Sequence, residues 1–383
     1  MEKTSRIAIL GGGIGGLVCA SELNHRAGSK AEIIVFDRSD YHTYQPAFLH
    51  LALGERKLDK IRRPLEKLKK QGINFLSGDI FRIDQENMVI NAEHGDFEFD
   101  YMVISLGTQL DPGALNGFED NALNLYTADG AARIKEALGS FESGKIVIAV
   151  SSMPYKCPAA PYEMAFLINA YLKKKKRREN VEISIITPEP QPMPVAGAEI
   201  GQNLVNMLEA HDIEYLPKQK ITSIDEKQVA LEKKRVKADL IIGIPPHSCP
   251  EVIKDAGMTG KSGWLEVDRH TLKTKHENIY AIGDNTHIGL ANGKALPKAG
   301  VFAKSQAQVV GVNLASELGG STITKRKFKG NGGCFVETGG KRAAMGKGGF
   351  FHEPDPNIVL KKPSRINYMM KMFYEKYWMK AWI

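Results

Sequence analysis

Short apolar runs separated by glycines and charged stretches set the rhythm of this chain. Arg6–Leu10 reads as a buried strand, apolar positions at helical spacing run from Leu17 to about Arg26, Gly28 stops that helix, and Ala31–Phe36 forms a second strand ending on Asp37. The pattern returns in mid-chain, where the strands Lys145–Val150 and Val181–Ile186 enclose an apolar helical stretch. Further strand-like runs occur at Tyr101–Ile104, Asn278–Ile282 and Phe335–Glu337. This alternation predicts an α/β fold. Near the end, Arg365–Ile383 places Ile366, Met369, Met370, Phe373, Tyr377 and Ala381 on one helical face, while Trp378 and Trp382 widen the apolar stripe. Lys371, Lys376 and Lys380 flank or interrupt that stripe, which suits an interfacial helix whose lysines reach toward lipid head groups. A helix docked on the body, or a dimer contact in a homo-oligomer, is the alternative.

Length adds a domain count: 383 residues suggest two domains and a tail. A hydrophobic fraction of 43% with 25% charged residues is that of an ordinary globular body. No run of roughly 18 apolar residues predicts a spanning helix, and Met1 leads into a strand without a basic and apolar leader, so the expected place of the body is the cytoplasm. The net charge of +8 bounds partners without choosing one. Its densest patch, Lys173 to Arg178, follows a helix and reads as a solvated helix end ahead of a nucleic-acid site. Four cysteines, with no CxxC or Cys/His spacing, exclude a disulfide scaffold and point to no metal.

Gly11, Gly13 and Gly16 stand in GxGxxG spacing between the first strand and its helix. Glycines there let the backbone turn sharply and approach a pyrophosphate, which the amides and dipole of the helix start favour. Asp37, at the end of the next strand, is placed to accept from ribose hydroxyls. Strand, turn, helix, strand and acid in that order specify a Rossmann-like dinucleotide site.

Two later segments imply, by resemblance, that the dinucleotide is FAD. Asp100-Tyr101-Met102-Val103-Ile104-Ser105-Leu106-Gly107-Thr108 and Asn278-Ile279-Tyr280-Ala281-Ile282-Gly283-Asp284 resemble the two further flavin fingerprints of flavoproteins with two dinucleotide-binding domains. The resemblance runs from the start of the chain to about residue 310. It implies that Asp284 holds the ribityl chain, that Gly12, Ile14, Gly15, Arg38, Ile80, Gly107 and Gly283 lie beside the cofactor, and that Gln45-Pro46 and Lys298 with Gly300 complete the flavin pocket. It also implies an FAD-binding domain from 1–110 with 260–320, a second Rossmann-like domain over 111–259, and a C-terminal region over 321–383.

Relatives that oxidise NADH carry a second glycine turn after the strand that here is Lys145–Val150. This chain instead has Ser151-Ser152-Met153-Pro154-Tyr155-Lys156-Cys157-Pro158, whose bulky side chains and prolines stand where a pyrophosphate needs bare backbone. Continued through Glu163, the segment resembles the active site of sulfide:quinone oxidoreductases and of flavocytochrome c sulfide dehydrogenases. Cys157 precedes a helix whose first turn holds Pro161 and Glu163, a setting expected to stabilise a thiolate. The resemblance pairs it with Cys334, in Gly332-Gly333-Cys334-Phe335; sequence separation alone cannot. Cys19 reads as structural, Cys249 as structural or accessory, and the third redox cysteine of many quinone-reducing relatives is missing between Ala20 and Lys156.

What the resemblance implies is therefore an FAD enzyme. Hydrosulfide attacks a sulfur-bridged Cys157/Cys334 pair, the freed thiolate reduces FAD, and electrons pass to a membrane quinone held near Phe335 and Phe373, with Glu163 managing protons or serving only as a helix-start carboxylate. A type II NADH dehydrogenase-like quinone reductase and a basic, nucleic-acid-binding flavoprotein are the alternatives.

Overall fold

The computed structural model describes residues 4–319 and 324–382. The border expected between 320 and 321, and the last residue Ile383, lie outside the described residues. Two five-stranded parallel sheets form the frame. The first runs, in spatial order, Ile279–Ala281, Tyr101–Ile104, Ser5–Leu10, Ala31–Asp37 and Asn74–Ser77. The second runs Leu123–Asn124, Leu240–Ile244, Gly144–Val150, Val181–Ile186 and Ile213–Leu216. Each sheet has an antiparallel three-stranded companion, at Ile80–Asp84, Val89–Ala92 and Gly95–Glu98 for the first and at Ile221–Asp225, Gln228–Leu231 and Arg235–Lys237 for the second. The chain leaves the first sheet after Ile104 and returns to it at Ile279.

Strands buried on both faces explain the unbroken apolar runs: Ile7 to Leu10 and Ile146 to Val150 are all 0% exposed. The first helix spans Ile14–Ala27, three residues earlier than its apolar periodicity announces, because Gly15 and Gly16 belong to it. A Cβ on Gly16 would lie 1.8 Å from the Gly11 carbonyl oxygen, so only glycine permits this closeness. Gly28 ends the helix at φ +52°, as expected.

The last region is an antiparallel sheet, Asn331–Gly339, Arg342–Gly349 and Asn357–Ser364, followed by the helix Arg365–Ala381. Its first strand begins at Asn331, not Phe335, so the expected glycine-rich approach to Cys334 is itself strand. Ser364 caps the helix by accepting from the Asn367 amide at 3.1 Å. Among the described residues no helix is long and apolar enough to cross a membrane.

Candidate active site

The glycine turn is built as a phosphate cradle. Gly11 sits at φ +104°, and a Cβ there would be 2.4 Å from the Ser105 carbonyl oxygen. Over Gly13 nothing lies within 4 Å, which leaves room for a ligand beside the helix start. Asp37 accepts from the Gly12 amide at 2.7 Å through one oxygen and from the Ser39 amide at 2.8 Å through the other, so ribose hydroxyls would use its remaining lone pairs. Gly12 and Gly15 are buried, Ile14 is half-buried, Arg38 is exposed beside Asp37, and Ile80 packs with the core around Phe36.

At the other end, Gly283, Asp284, Pro297, Lys298 and Ala299 line one cleft. Asp284 Oδ1 is buried without a hydrogen-bond partner, a costly state that a ribityl hydroxyl would relieve. Gly107, at φ +73°, has nothing within 4 Å of a notional Cβ, and Gly300 opens the helix Gly300–Glu317 against Ile14. The Lys298 ammonium donates to the carbonyls of Asp284 at 2.7 Å and Thr286 at 3.2 Å and lies over the Trp264 ring; burial pulls its pKa down to about 8. Gln45, followed by Pro46, accepts from Lys156 at 2.7 Å. The open glycines and the orphaned carboxylate oxygen fit FAD.

Cys157 is tied to the same place: its amide donates to the Lys298 carbonyl at 2.7 Å. Cys334 reaches it because the helix Ala160–Lys174 packs against the strand Asn331–Gly339. Each sulfur is unbonded, and both cysteines are half-buried against the same hydrophobic core. The expectation of a stabilised Cys157 thiolate is overturned. Burial dominates, then the charges of Cys334 and Glu163, and together they push its pKa well above the ordinary thiol value; Cys334 is pushed to about 11, again mainly by burial. Cys19 and Cys249 are buried away from solvent, at 0% and 1% exposure.

Glu163 does more than start a helix. It is 4% exposed and pairs with the Lys371 ammonium, which also meets Glu337 at 2.8 Å. Glu337 accepts from His50 Nε2 at 2.9 Å, and His50 Nδ1 meets the half-exposed Glu55 at 2.8 Å. A line of charges thus runs from Glu163 to the surface. Lys371 corrects the sequence reading, which turned it toward lipid: its side chain is 15% exposed and points into the protein. Its signal was present as a second helical face, Asn367, Lys371, Tyr374 and Trp378 at i, i+4, i+7 and i+11. Trp378 also turns inward, 3% exposed, and does not widen the outer stripe. Lys371, Glu337 and His50 went unrecognised because sequence offered no reason to bring together residues so far apart along the chain.

The outer face is as expected: Ile366, Met369, Met370, Phe373 and Tyr377 are 47–71% exposed, and Ala381 is exposed with them. Phe335 is half-buried, and among the described residues no ring contact joins it to Phe373. In the basic patch Arg177 pairs with Glu142 and Arg178 binds the carbonyls of Val181, His211 and Asp212, while Lys173 to Lys176 are solvated.

Two Rossmann-like sheets, one open dinucleotide cradle and a cysteine tied to Lys298 in its cleft mark the chain as a dinucleotide-dependent oxidoreductase. The chain belongs to the pyridine nucleotide-disulphide oxidoreductase family, whose model matches residues 5–307. It is 25% identical to the mitochondrial sulfide:quinone oxidoreductase of Dictyostelium discoideum, across 98% of this chain and 84% of that one. The solved structure of the sulfide:quinone oxidoreductase from Aquifex aeolicus superposes with a TM-score of 0.89 at 25% identity, covering 98% of this chain and 90% of that one. Type II NADH:quinone oxidoreductase of Staphylococcus aureus is 23% identical over 85% of this chain and 86% of its own. The likeness to sulfide:quinone oxidoreductases expected from the cysteine segment is therefore borne out.

Proposed function

We propose that this chain oxidises sulfide to zero-valent sulfur at Cys157 and Cys334 and reduces a membrane quinone. The observation that supports this reading is the backbone hydrogen bond that ties Cys157 to Lys298 at the Asp284–Lys298 cleft, together with the whole-length likeness to enzymes named for that reaction. Hydrosulfide attacks one sulfur of the bridged pair; the S–S bond breaks, one cysteine carries the persulfide, and the other leaves as a thiolate. FAD, when bound, supplies a two-electron acceptor that a thiolate can reduce and a quinone can reoxidise. Because burial opposes thiolate formation, the cation of Lys371, which lowers both thiols, sets the charge balance at this step. Glu163, its carboxyl held up by burial against the pull of Lys371, takes the proton a thiol gives up.

The exposed face of the terminal helix lies on a membrane on the cytoplasmic side and brings the quinone to Phe335 and Phe373. NADH is not the donor, since Tyr155 and the prolines fill the second glycine position. Anaerobic titration with sulfide, followed by a soluble quinone, should bleach and restore the flavin absorbance of wild type; Cys157→Ala and Cys334→Ala should each slow bleaching by roughly 100-fold or more. Bleaching by sulfide at the wild-type rate in both variants, or bleaching of wild type by NADH in its place, would remove this function.

A further inference from the structure

Of the two parallel sheets, only the first keeps the device that holds a dinucleotide. The second repeats the plan: Gly144–Val150 leads through a loop into the helix Ala160–Lys174, and Val181–Ile186 is followed by Thr187, Pro188 and Glu189. Glu189 thus stands near the topological counterpart of Asp37, where a Rossmann-like sheet offers a carboxylate to a ribose. It does not face a cleft. Glu189 is 1% exposed, and its Oε2 accepts from the hydroxyls of Tyr155 at 2.9 Å, Thr187 at 3.3 Å, and Tyr162. Tyr155 and Tyr162 are 3% and 0% exposed, so their rings fill the space between strand end and helix start that glycine leaves open in the first sheet.

A buried carboxylate is costly unless donors surround it, and here three hydroxyls do so. Two of them belong to the cysteine segment. Tyr155 lies two residues before Cys157 and also comes within 3.3 Å of the Pro158 carbonyl, and Tyr162 sits in the first turn of the helix that follows. Cys157 itself is at φ +52°, a left-handed conformation that side chains bearing a Cβ adopt rarely and only where the surroundings hold them. The Lys156 carbonyl accepts from Tyr126 at 2.7 Å, and the Cys157 amide donates to Lys298, so that conformation is also fixed from both sheets' sides.

We propose that Glu189 is a positioning residue: the acid that would serve a second dinucleotide has become a brace, gripping Tyr155 and Tyr162 to hold Cys157 in its left-handed turn toward Cys334. The inference rests on the reading of Cys157 as the sulfur-handling residue. A carboxylate that merely filled space would be replaceable by any side chain of its volume. A brace requires an oxygen acceptor at that point.

The test uses the full-length, FAD-loaded protein and measures two quantities, the iodoacetamide alkylation rate of each cysteine after anaerobic reduction to free thiols, by peptide mass spectrometry, and, on untreated protein, the rate of flavin bleaching at saturating sulfide. Glu189→Ala and Tyr155→Phe should each raise alkylation of Cys157 by roughly tenfold and slow bleaching by a similar factor, with Cys249 alkylation unchanged. Glu189→Gln, which keeps an oxygen acceptor, should return both rates to within roughly threefold of wild type. Alkylation of Cys157 at the wild-type rate in both Glu189→Ala and Tyr155→Phe overturns the brace, as does a Glu189→Gln no better than Glu189→Ala. Should Glu189→Ala not fold, Tyr155→Phe decides, since it leaves the carboxylate two donors. Sulfide bleaching at the wild-type rate in both Cys157→Ala and Cys334→Ala would sink the proposed function, whereas the alkylation result judges the brace without reference to sulfide.

Discussion

His50 shows how a side chain of no apparent interest in the sequence governs the electrostatics of the site. Burial opposes its charge, but hydrogen bonds to Glu337 and Glu55 outweigh that and raise its pKa from 6.5 to about 9. Glu337 moves the other way: burial would raise it, and His50 with Lys371 pulls it down to about 2. Their contributions to stability follow from these directions. A raised histidine stabilises fully below its unfolded value and loses that contribution as pH rises through about 9, while a depressed glutamate stabilises above 4.5 and loses it as pH falls through about 2. Between about pH 5 and 6 both act together. For His50 the shift corresponds to about 3 kcal/mol. We expect thermal stability to fall from pH 6.5 to 9, and His50→Gln to flatten that decline while lowering the midpoint at pH 6; an equally steep decline in His50→Gln would exclude His50 as its cause. Of the site's residues, the glycines and Asp37 were legible from local motifs at strand ends, Cys157 from its proline-flanked place before a helix together with the resemblance, and Asp284 from the resemblance. Cys334 was found by resemblance alone. His50 and Glu337, which meet across 287 positions, have no local pattern to announce them.

The terminal helix presents two different faces, one apolar and exposed, the other turned inward with Lys371 and Trp378. Periodicity identified the outward face correctly, since large apolar residues at i, i+3 and i+4 belong together whatever they meet. It could not say that Lys371, within a basic and aromatic sequence, faces two buried carboxylates, because spacing assigns a residue to a face and does not identify the partner. Helix and strand interiors were read closely throughout, and Val181–Ile186 was bounded to the residue. Ends were missed where glycines extend an element that apolar spacing cannot see, as in Ile14–Ala27 and Asn331–Gly339. The outward face yields a direct expectation. Ile366 and Met369, 65% and 60% exposed, would each gain about 1.5–3 kcal/mol from burial in an interface. Ile366→Asp combined with Met369→Asp should therefore reduce cosedimentation with lipid vesicles by roughly 100-fold or more, the flavin spectrum remaining that of a folded protein. Unchanged cosedimentation would mean that this face meets another protein surface.

Across the molecule, the terminal helix is wired to the glycine turn after the first strand. The Trp378 indole N–H can only donate, so His42 Nε2 accepts it at 3.0 Å, and His42 Nδ1–H must then donate to the Gly12 carbonyl at 3.0 Å. Burial holds His42 at a pKa of about 4, so this neutral tautomer persists at physiological pH. Arg56 grips Glu375 at 2.7 Å and Arg63 donates to the Met379 carbonyl at 3.2 Å, joining the same segment to the same helix. No periodicity in the sequence reports such a junction, which spans 336 positions at His42 and Trp378. Its consequence is reciprocal: if cofactor binding orders the Gly12 turn and so favours the docked helix, docking of the helix must favour the cofactor by the same factor. Removing one buried hydrogen bond while leaving its acceptor costs about 1–3 kcal/mol. Trp378→Phe should accordingly weaken FAD binding by roughly 5- to 100-fold, measured from the fluorescence of released flavin during dilution, and vesicles should slow that release in wild type more than in the variant. FAD release that is identical in both proteins, with vesicles and without, would show that the two ends of this hydrogen-bonded chain act independently.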